Sequence, residues 1–190
     1  MLPEAEEELL RKIHADPKQF GVLFDNYYQR IFGYVFRRVI DYDLARDITA
    51  ETFLKAFLKI KSFQWKGISI SSWLYRIATN EVNQFFRKKK YNPEKLGSII
   101  SGEFLLMHDS AREELEEELA RHEEFVRVQK QLKNLDTKYQ EVIALRFFEG
   151  KDNKQIAEIL DKPEGTVKSL LSRAIEKLKI LCNQQQDCAL

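Results

Sequence analysis

The segment NKQIAEILDKPEGTVKSLLSRAIEKL, residues 153–178, contains two short helical patterns separated by a tight turn. In the first pattern, apolar residues such as Ile156 and Ile159 recur at the spacing of one helix face. The turn contains Asp161, a residue type that tolerates the left-handed conformation, and Pro163, which suits the first turn of a helix. The sequence therefore predicts two amphipathic helices that meet at a sharp corner, with Asp152 or Asn153 as the first N-cap.

The second of these helices has an apolar face and a polar face. We expect the following side chains to point inward: Val167, Leu170, Leu171, Ala174, Ile175, Leu178 and Leu181. The polar face carries side chains that can hydrogen-bond to base edges in a major groove: Lys168, Ser169, Ser172 and Arg173. Gly165 and Thr166 at the helix start would let backbone amides approach a phosphate. The alternative is a core helix pair with a solvated polar face, which is common without DNA.

The overall composition limits the classes of function. The chain has 190 residues, of which 44% are hydrophobic and 32% are charged, and this predicts one ordinary globular domain or two small ones. Because its formal net charge is +1, any binding to nucleic acid must come from local clusters of charge. Cys182 and Cys188 have no partner at zinc-ligand spacing, so we expect no metal, cofactor or disulfide framework.

Two further classes are not expected. No apolar run reaches the roughly 18 residues of a membrane span, and the start MLPEAEEELLRK is unlike a signal peptide, which predicts a cytoplasmic protein without membrane insertion. His14, His108 and His122 are scattered, and no nucleophile or Gly-rich phosphate loop occurs at diagnostic spacing, so we do not expect an enzyme.

The upstream part of the chain also reads as helices, because strand patterns are nearly absent. A first helix is expected from about Glu4 to Ala15, with Asp16 as the cap of the next. A second covers residues 20–39 and has one apolar face that includes Phe24. In the third, the inward side chains are expected to be Leu44, Ile48, Phe53, Phe57 and Ile60. The fourth begins at ISISSW, with Ser71 or Ser72 as its cap, and ends in the basic block RKKK.

The helical periodicity fades between Tyr91 and about Arg112, where Pro93 and two glycines occur and acidic residues then dominate. The predicted fold is therefore all-α, with two small helical domains joined by a flexible linker. The expected boundaries are residues 1–91 and 113–190 for the domains and 92–112 for the acidic linker. The C-terminal domain contains the helix-turn-helix.

The segment EGKDNKQIAEILDKPEGTVKSLLSRAIEKL resembles the promoter-binding fourth region of bacterial sigma factors. Upstream, DLARDITAETFLKAFLKIKSF and SSWLYRIATNEVNQFFRKKK resemble the second region of the same family, in the same order. The chain is thus similar to the extracytoplasmic-function (ECF) group of the major sigma family. The resemblance implies a protein that binds core RNA polymerase, recognises the minus-thirty-five and minus-ten promoter elements and helps melt the DNA. It also implies an anti-sigma factor as a partner.

The resemblance assigns roles to three groups of residues. Residues implied in binding the double-stranded upstream element are Gly165, Thr166, Lys168, Ser169, Ser172 and Arg173. Residues implied in holding the single strand of the melted element are Phe63, Trp65, Lys66, Arg76, Asn80, Gln84, Arg87 and Lys88. Residues implied in contacting core polymerase are Asp47, Glu51, Thr52 and Phe53.

Simpler interpretations remain open for several of these residues. Trp73, which is spaced with Ile77 on one helix face, is expected to pack in the core. The basic block at residues 87–90 can act by stabilising a helix end. Asp47 and Glu51 can form an ordinary solvated acidic face.

Two other functions compete with that of a sigma factor. A regulator that uses the same helix-turn-helix would act without polymerase, usually as a dimer on palindromic sites. A protein-binding adaptor would use the helical units only as docking surfaces. Binding to duplex DNA without polymerase would favour the regulator, and loss of DNA crosslinking in a polymerase complex would favour the adaptor.

Overall fold

The computed structural model of the chain describes residues 3–39, 41–63, 68–90, 131–132 and 134–186, and no strand occurs among them. The predicted all-α class is confirmed. The helices in these ranges are α1 (Pro3–Ala15), α2 (Phe20–Val39), α3 (Tyr42–Lys59), α4 (Ile70–Lys90), α5 (Thr137–Ile143), α6 (Asn153–Leu160) and α7 (Glu164–Gln186). The predicted linker at 92–112 lies outside the described residues.

Helices α1 to α4 form an N-terminal unit. Helix α2 packs against α3, and both pack against α4, while α1 contacts the short 3₁₀ turn Ile60–Ser62 that follows α3. The side chains at the centre of this unit are fully buried: Leu23, Ile31, Tyr34, Val35, Leu74 and Val82. This burial follows from the apolar faces that the sequence places on α2 and α4.

Two aromatic residues expected inside this unit lie at its surface instead. Phe24 is 37% exposed and Phe57 is 44% exposed. Phe24 packs against Phe53 and Tyr28, in each case with ring centroids 4.9 Å apart, and Phe57 packs against Phe20 at 5.2 Å. Their partners Phe53 and Phe20 are buried, so Phe24 and Phe57 cover the edge of an aromatic cluster whose inner rings come from α2 and α3.

The helix starts in this unit are held by specific side chains. Asp41 caps α3 by accepting a hydrogen bond from the Leu44 amide at 2.9 Å. The prediction of Ser71 or Ser72 as the cap of α4 was wrong, because Ser69 takes this role and its hydroxyl accepts from the Ser72 amide at 2.9 Å. The helix begins earlier than expected, at Ile70.

Glu6 joins three helices of the N-terminal unit. Glu6 is 3% exposed, and its carboxylate accepts one hydrogen bond from the Tyr27 hydroxyl at 2.7 Å and another from the Ile70 amide at 3.0 Å. The first bond links α1 to α2, and the second satisfies a free amide at the start of α4. A buried carboxylate is tolerated here because both of its oxygens have donors.

Helices α5 to α7 form a C-terminal unit. Between α5 and α6 the chain forms one wide turn of π-helix, Ala144–Phe148, which closes with a hydrogen bond from the Glu149 amide to the Ala144 carbonyl at 3.1 Å. The core of this unit consists of Val142, Leu145, Ile156, Ile159, Val167 and Ala174. Ile175, which was expected to point inward, is 36% exposed, whereas the neighbouring Ala174 is fully buried.

The two units dock directly on each other. Helix α4 of the N-terminal unit lies against α6, and α2 contacts the π-helical turn. Among the described helices, none combines the length and the apolar character needed to cross a membrane. The docking brings the helix-turn-helix close to the polar face of α4. It therefore affects which of the polar α4 side chains remain exposed to solvent.

Candidate nucleic-acid interface

The helix-turn-helix corner has the geometry that the sequence predicts. Asp152 caps α6 by accepting from the Gln155 amide at 2.8 Å, and the Gln155 side chain accepts in return from the Asp152 amide at 3.1 Å. Asp161 ends the helix in the left-handed conformation, with φ 54° and ψ 51°. Pro163 lies one residue before α7 rather than inside its first turn, and its carbonyl accepts from the Thr166 and Val167 amides.

The polar face of α7 is accessible. Lys168, Ser169, Ser172 and Arg173 are all exposed. Lys168 lies 3.8 Å from Glu164, an exposed pair of little energetic value. Ser169 donates its hydroxyl hydrogen to the Thr166 carbonyl at 2.9 Å. The side chains predicted to bind the upstream element therefore share one exposed face.

The helix start offers fewer free amides than the sequence suggested. The Thr166 amide donates to the Pro163 carbonyl at 2.9 Å, so it is already satisfied within the chain. Gly165 is exposed, and a Cβ at this position would meet nothing within 4 Å. Any approach of a phosphate to this backbone would therefore use the amide of Gly165 rather than that of Thr166.

Five polar residues predicted to hold the melted strand are on α4, at the spacing of one helix face: Arg76, Asn80, Gln84, Arg87 and Lys88. All except Arg76 are exposed. Arg76 contacts α6, where its Nε donates to the Glu158 carbonyl at 3.0 Å and its Nη2 also reaches that oxygen. Asn80 borders a cleft of about 300 Å³ between the two units.

The aromatic residues before α4 are only partly described. Phe63 is half-buried and packs on Trp73, with ring centroids 4.6 Å apart. Trp73 is itself half-buried, which agrees with its expected role in packing. Trp65 and Lys66 lie outside the described residues.

The four residues predicted to contact polymerase differ in their exposure to solvent: two are exposed and two are buried. Asp47 and Glu51 are exposed on α3. Thr52 is fully buried and donates to the Ile48 carbonyl at 2.8 Å, and Phe53 is only 4% exposed. Neither Thr52 nor Phe53 is accessible at the surface of this structure, and Phe53 packs against Phe24 and Tyr28 of α2.

Two residues that the sequence reasoning missed extend the exposed acidic pair. Leu54 is 52% exposed and Leu58 is 70% exposed. With Asp47 and Glu51 they follow the spacing i, i+4, i+7, i+11, which places all four on one stripe of α3. We call these four residues the α3 stripe. The sequence contains a signal for this stripe, because Leu54 and Leu58 continue the helical spacing of Asp47 and Glu51.

Lys55 lies beside this stripe and is held in place by two acids. Its Nζ lies 2.6 Å from Glu81 on α4 and 3.2 Å from Glu51. The hydrogen bond with Glu81, assisted by Glu51, raises the pKa of Lys55. The ion pair thus fixes α3 against α4 next to the stripe.

The described residues contain no group of three or more His, Cys, Asp or Glu side chains that could hold a metal ion. The polar groups described above are donors and acceptors on helix faces. This arrangement suits recognition of a macromolecule.

Comparisons with known proteins identify both units. Residues 23–91 match the model of Sigma-70 region 2, and residues 125–178 match that of Sigma-70, region 4. The chain is 31% identical to the ECF RNA polymerase sigma factor SigW of Bacillus subtilis, over 87% of this chain and 89% of that protein. It is 30% identical to the ECF RNA polymerase sigma factor BldN of Streptomyces coelicolor over 90% of this chain, and the match spans 63% of BldN.

Two solved structures share the fold. CnrH, in complex with the cytosolic domain of CnrY, aligns with a TM-score of 0.69 at 21% identity, covering 95% of this chain and 98% of CnrH. The sigma factor RpoE from Bartonella quintana, in complex with the anti-sigma factor NepR, aligns with a TM-score of 0.61 at 24% identity, covering 87% of this chain and 98% of RpoE. From these matches, the chain belongs to the ECF group of RNA polymerase sigma factors and is not an enzyme.

Proposed function

We propose that this chain binds core RNA polymerase, directs it to specific promoters and helps melt the DNA for initiation of transcription. The observation that carries the proposal is that two different units each present an accessible polar helix face, the α7 face and the α4 face. A sigma factor needs both, one for duplex DNA and one for the opened strand. A regulator acting alone needs only the first.

The α7 face supports recognition of the upstream element. Arg173 can bind guanine through two hydrogen bonds, a contact worth about 1–3 kcal/mol of discrimination. Lys168, Ser169 and Ser172 are exposed beside it and can bind base edges or phosphates. We assign Gly165 to a phosphate contact and Thr166 to the stability of the helix start.

The α4 face supports binding of the melted element. Gln84, Arg87 and Lys88 are exposed along one side of the helix, where cations can follow phosphates. Asn80 offers an amide donor and an acceptor for a base edge. We assign Phe63, Trp65 and Lys66 to binding of the same single DNA strand. The Phe63 ring packs on Trp73.

The α3 stripe supports docking to polymerase. Leu54 and Leu58 supply exposed apolar area, and Asp47 and Glu51 supply negative charge at its edge. An apolar centre with a charged rim is typical of a specific protein interface. We therefore replace Thr52 and Phe53 by Leu54 and Leu58 in the polymerase-contacting set.

Three further assignments belong to this proposal. The domain boundaries are residues 1–91 and 113–190, with an acidic linker at 92–112. An anti-sigma factor is a partner, because the similar structure of RpoE contains one, NepR. The chain acts in the cytoplasm, where a sigma factor meets polymerase.

The test separates the two binding surfaces. Leu54→Asp should weaken binding to fluorescently labelled core polymerase at least tenfold, because it places a charge in the apolar centre of the α3 stripe. Arg173→Ala should leave polymerase binding unchanged but lower discrimination at the upstream element. Lys179→Ala, an exposed substitution farther along α7, is the matched control for Arg173. Polymerase binding that is unaffected by Leu54→Asp would contradict the proposed docking surface.

A further inference from the structure

Helix α1 carries two polar side chains, Glu6 and His14, that reach the two ends of the connection between α3 and α4. The apolar face of α1 is buried through Leu9, Leu10 and Ile13. Glu6 and His14 lie on the same side of the helix, because they follow the i, i+4, i+7, i+8 spacing of this face. The residues that match Sigma-70 region 2 begin at position 23 and do not include α1.

His14 holds the first end of the connection, where α3 finishes. Its Nε2 donates to the Ile60 carbonyl at 2.9 Å, and the Phe63 amide donates to the same oxygen at 3.1 Å. Ile60 is only 2% exposed, so this carbonyl is fixed at the edge of the core. His14 and Phe63 share one acceptor, and a shift of that acceptor would therefore move the backbone of Phe63.

Glu6 holds the second end, where α4 begins. Its carboxylate accepts from the Ile70 amide at 3.0 Å, directly after the cap residue Ser69. Ser69 accepts from the Ser72 amide through its hydroxyl and from the Trp73 amide through its carbonyl, the latter at 3.0 Å. The first turn of α4 is thus oriented by its own cap and by a carboxylate of α1, which satisfies an amide that the helix itself leaves free.

The two ends also contact each other through aromatic rings. Phe63 packs on Trp73 with ring centroids 4.6 Å apart. Both side chains are half-buried, so part of each ring stays open to solvent. A ring that is supported by a neighbour and partly open can stack with a nucleic-acid base. The position of this pair depends on both ends of the connection, and α1 contacts both.

We propose that Glu6 and His14 are positioning residues for binding of the melted strand: from α1 they hold the two ends of the α3 to α4 connection and thereby fix the Phe63 ring where a base can stack. The inference rests on the proposed function, which assigns Phe63 to the opened strand. Neither side chain needs to touch DNA. A ring that is already held in its binding position loses less freedom when the strand arrives, so preorganisation by α1 tightens binding.

Fluorescence of Trp65 tests the positioning without any DNA. Trp65 and Trp73 are the two tryptophans of the chain, so Trp73→Phe leaves Trp65 as the only one in the full-length protein and retains an aromatic partner for Phe63. Quenching by acrylamide then reports how freely solvent reaches the α3 to α4 connection. All further variants are made in this background. A fluorescein-labelled single-stranded DNA of mixed sequence is the probe for strand binding.

His14→Ala should increase the quenching of Trp65 and weaken binding of the oligonucleotide about fivefold. A fivefold change corresponds to about 1 kcal/mol, the typical net contribution of one hydrogen bond. His14→Gln should restore both quantities, because its amide nitrogen lies as many bonds from the backbone as Nε2 and can donate to the same carbonyl. His14 is exposed, so the urea midpoints of both variants should stay close to that of the background chain.

Glu6→Gln tests the second end of the connection. Hydrogen bonds to a neutral amide are about half as strong as those to a carboxylate, so quenching should increase and binding should weaken about threefold. Glu7→Gln is the matched control, because it removes the same charge at the exposed neighbouring position. It should neither increase quenching nor weaken binding. Retained far-ultraviolet circular dichroism shows that each variant is folded.

Three results would overturn the inference. The first is unchanged quenching of Trp65 in both His14→Ala and Glu6→Gln. The second is increased quenching in these variants with unchanged binding of the oligonucleotide, and the third is a His14→Gln variant that behaves like His14→Ala. Failure of the proposed function differs from all three, since the wild-type chain would then bind neither polymerase nor the oligonucleotide.

Discussion

Removal of the Glu6 carboxylate should destabilise the whole N-terminal unit. Glu6→Ala leaves two donors unsatisfied, the Tyr27 hydroxyl and the Ile70 amide, both of which are buried with it. Hydrogen bonds to charged groups contribute about 1.5–3 kcal/mol each, so the expected loss is about 3–6 kcal/mol. Because whole domains are stable by only about 5–15 kcal/mol, the variant should approach global unfolding of this unit.

Urea unfolding followed by tryptophan fluorescence measures this loss, since both tryptophans, Trp65 and Trp73, lie in the N-terminal part of the chain. Glu7→Ala is the control, because Glu7 is the exposed neighbour on the same helix and its loss should cost no more than about 0.5 kcal/mol. Combining Glu6→Gln with Tyr27→Phe should show a coupling free energy, since the two side chains share one bond. Equal unfolding midpoints for Glu6→Ala and Glu7→Ala would refute the reasoning.

Three further predictions concern stability. Ile156→Ala should lower the free energy of unfolding of the C-terminal unit by about 2–5 kcal/mol, because the side chain is fully buried, whereas the exposed Lys154→Ala should have little effect in the same urea titration. Asp161→Gly should be about 1 kcal/mol more stable than Asp161→Ala in thermal unfolding. Both variants lose the Arg76 contact, but only glycine adopts φ 54° without steric cost. Equal stability of the two variants would argue against backbone strain at the turn. Burial raises the pKa of Tyr34 and Tyr75, so the stability that these two residues contribute is present below the ordinary tyrosine pKa of about 10 and is lost as the pH rises above it. In an alkaline titration, tyrosinate absorbance should therefore increase together with unfolding. Ionisation of all tyrosines in a chain that stays folded would contradict this.

The local features of the fold could be predicted from the sequence because each depends on neighbouring residues. The cap at Asp152 lies three residues from the amide it binds, and the left-handed turn depends on Asp161 itself. The apolar faces of α2 and α4 follow from helical spacing. In contrast, Ser69 was missed as a cap because the following serines are equally good candidates by residue type.

The contacts between distant residues could not be predicted from local patterns. Glu6 binds the Ile70 amide across 64 positions, and Arg37 binds Glu149 across 112. Nothing in the spacing near Arg76 indicates that it would reach the end of α6 rather than lie free with the other polar residues of α4. Helical spacing predicted that Phe53 points inward, but it did not predict the burial of Thr52. The family pattern implied a polymerase contact for both residues because it does not distinguish a residue that contacts a partner from one that supports the contact.

The account rests on the claim that this chain gives core RNA polymerase its promoter specificity. The most direct measurement is run-off transcription from a promoter library by core polymerase, with and without the chain, followed by sequencing of the start sites. We expect new start sites that share two spaced upstream motifs and that appear only when the chain is present. Unchanged start sites, together with retention of a duplex site by the chain alone, would contradict the claim and favour a regulator that acts without polymerase.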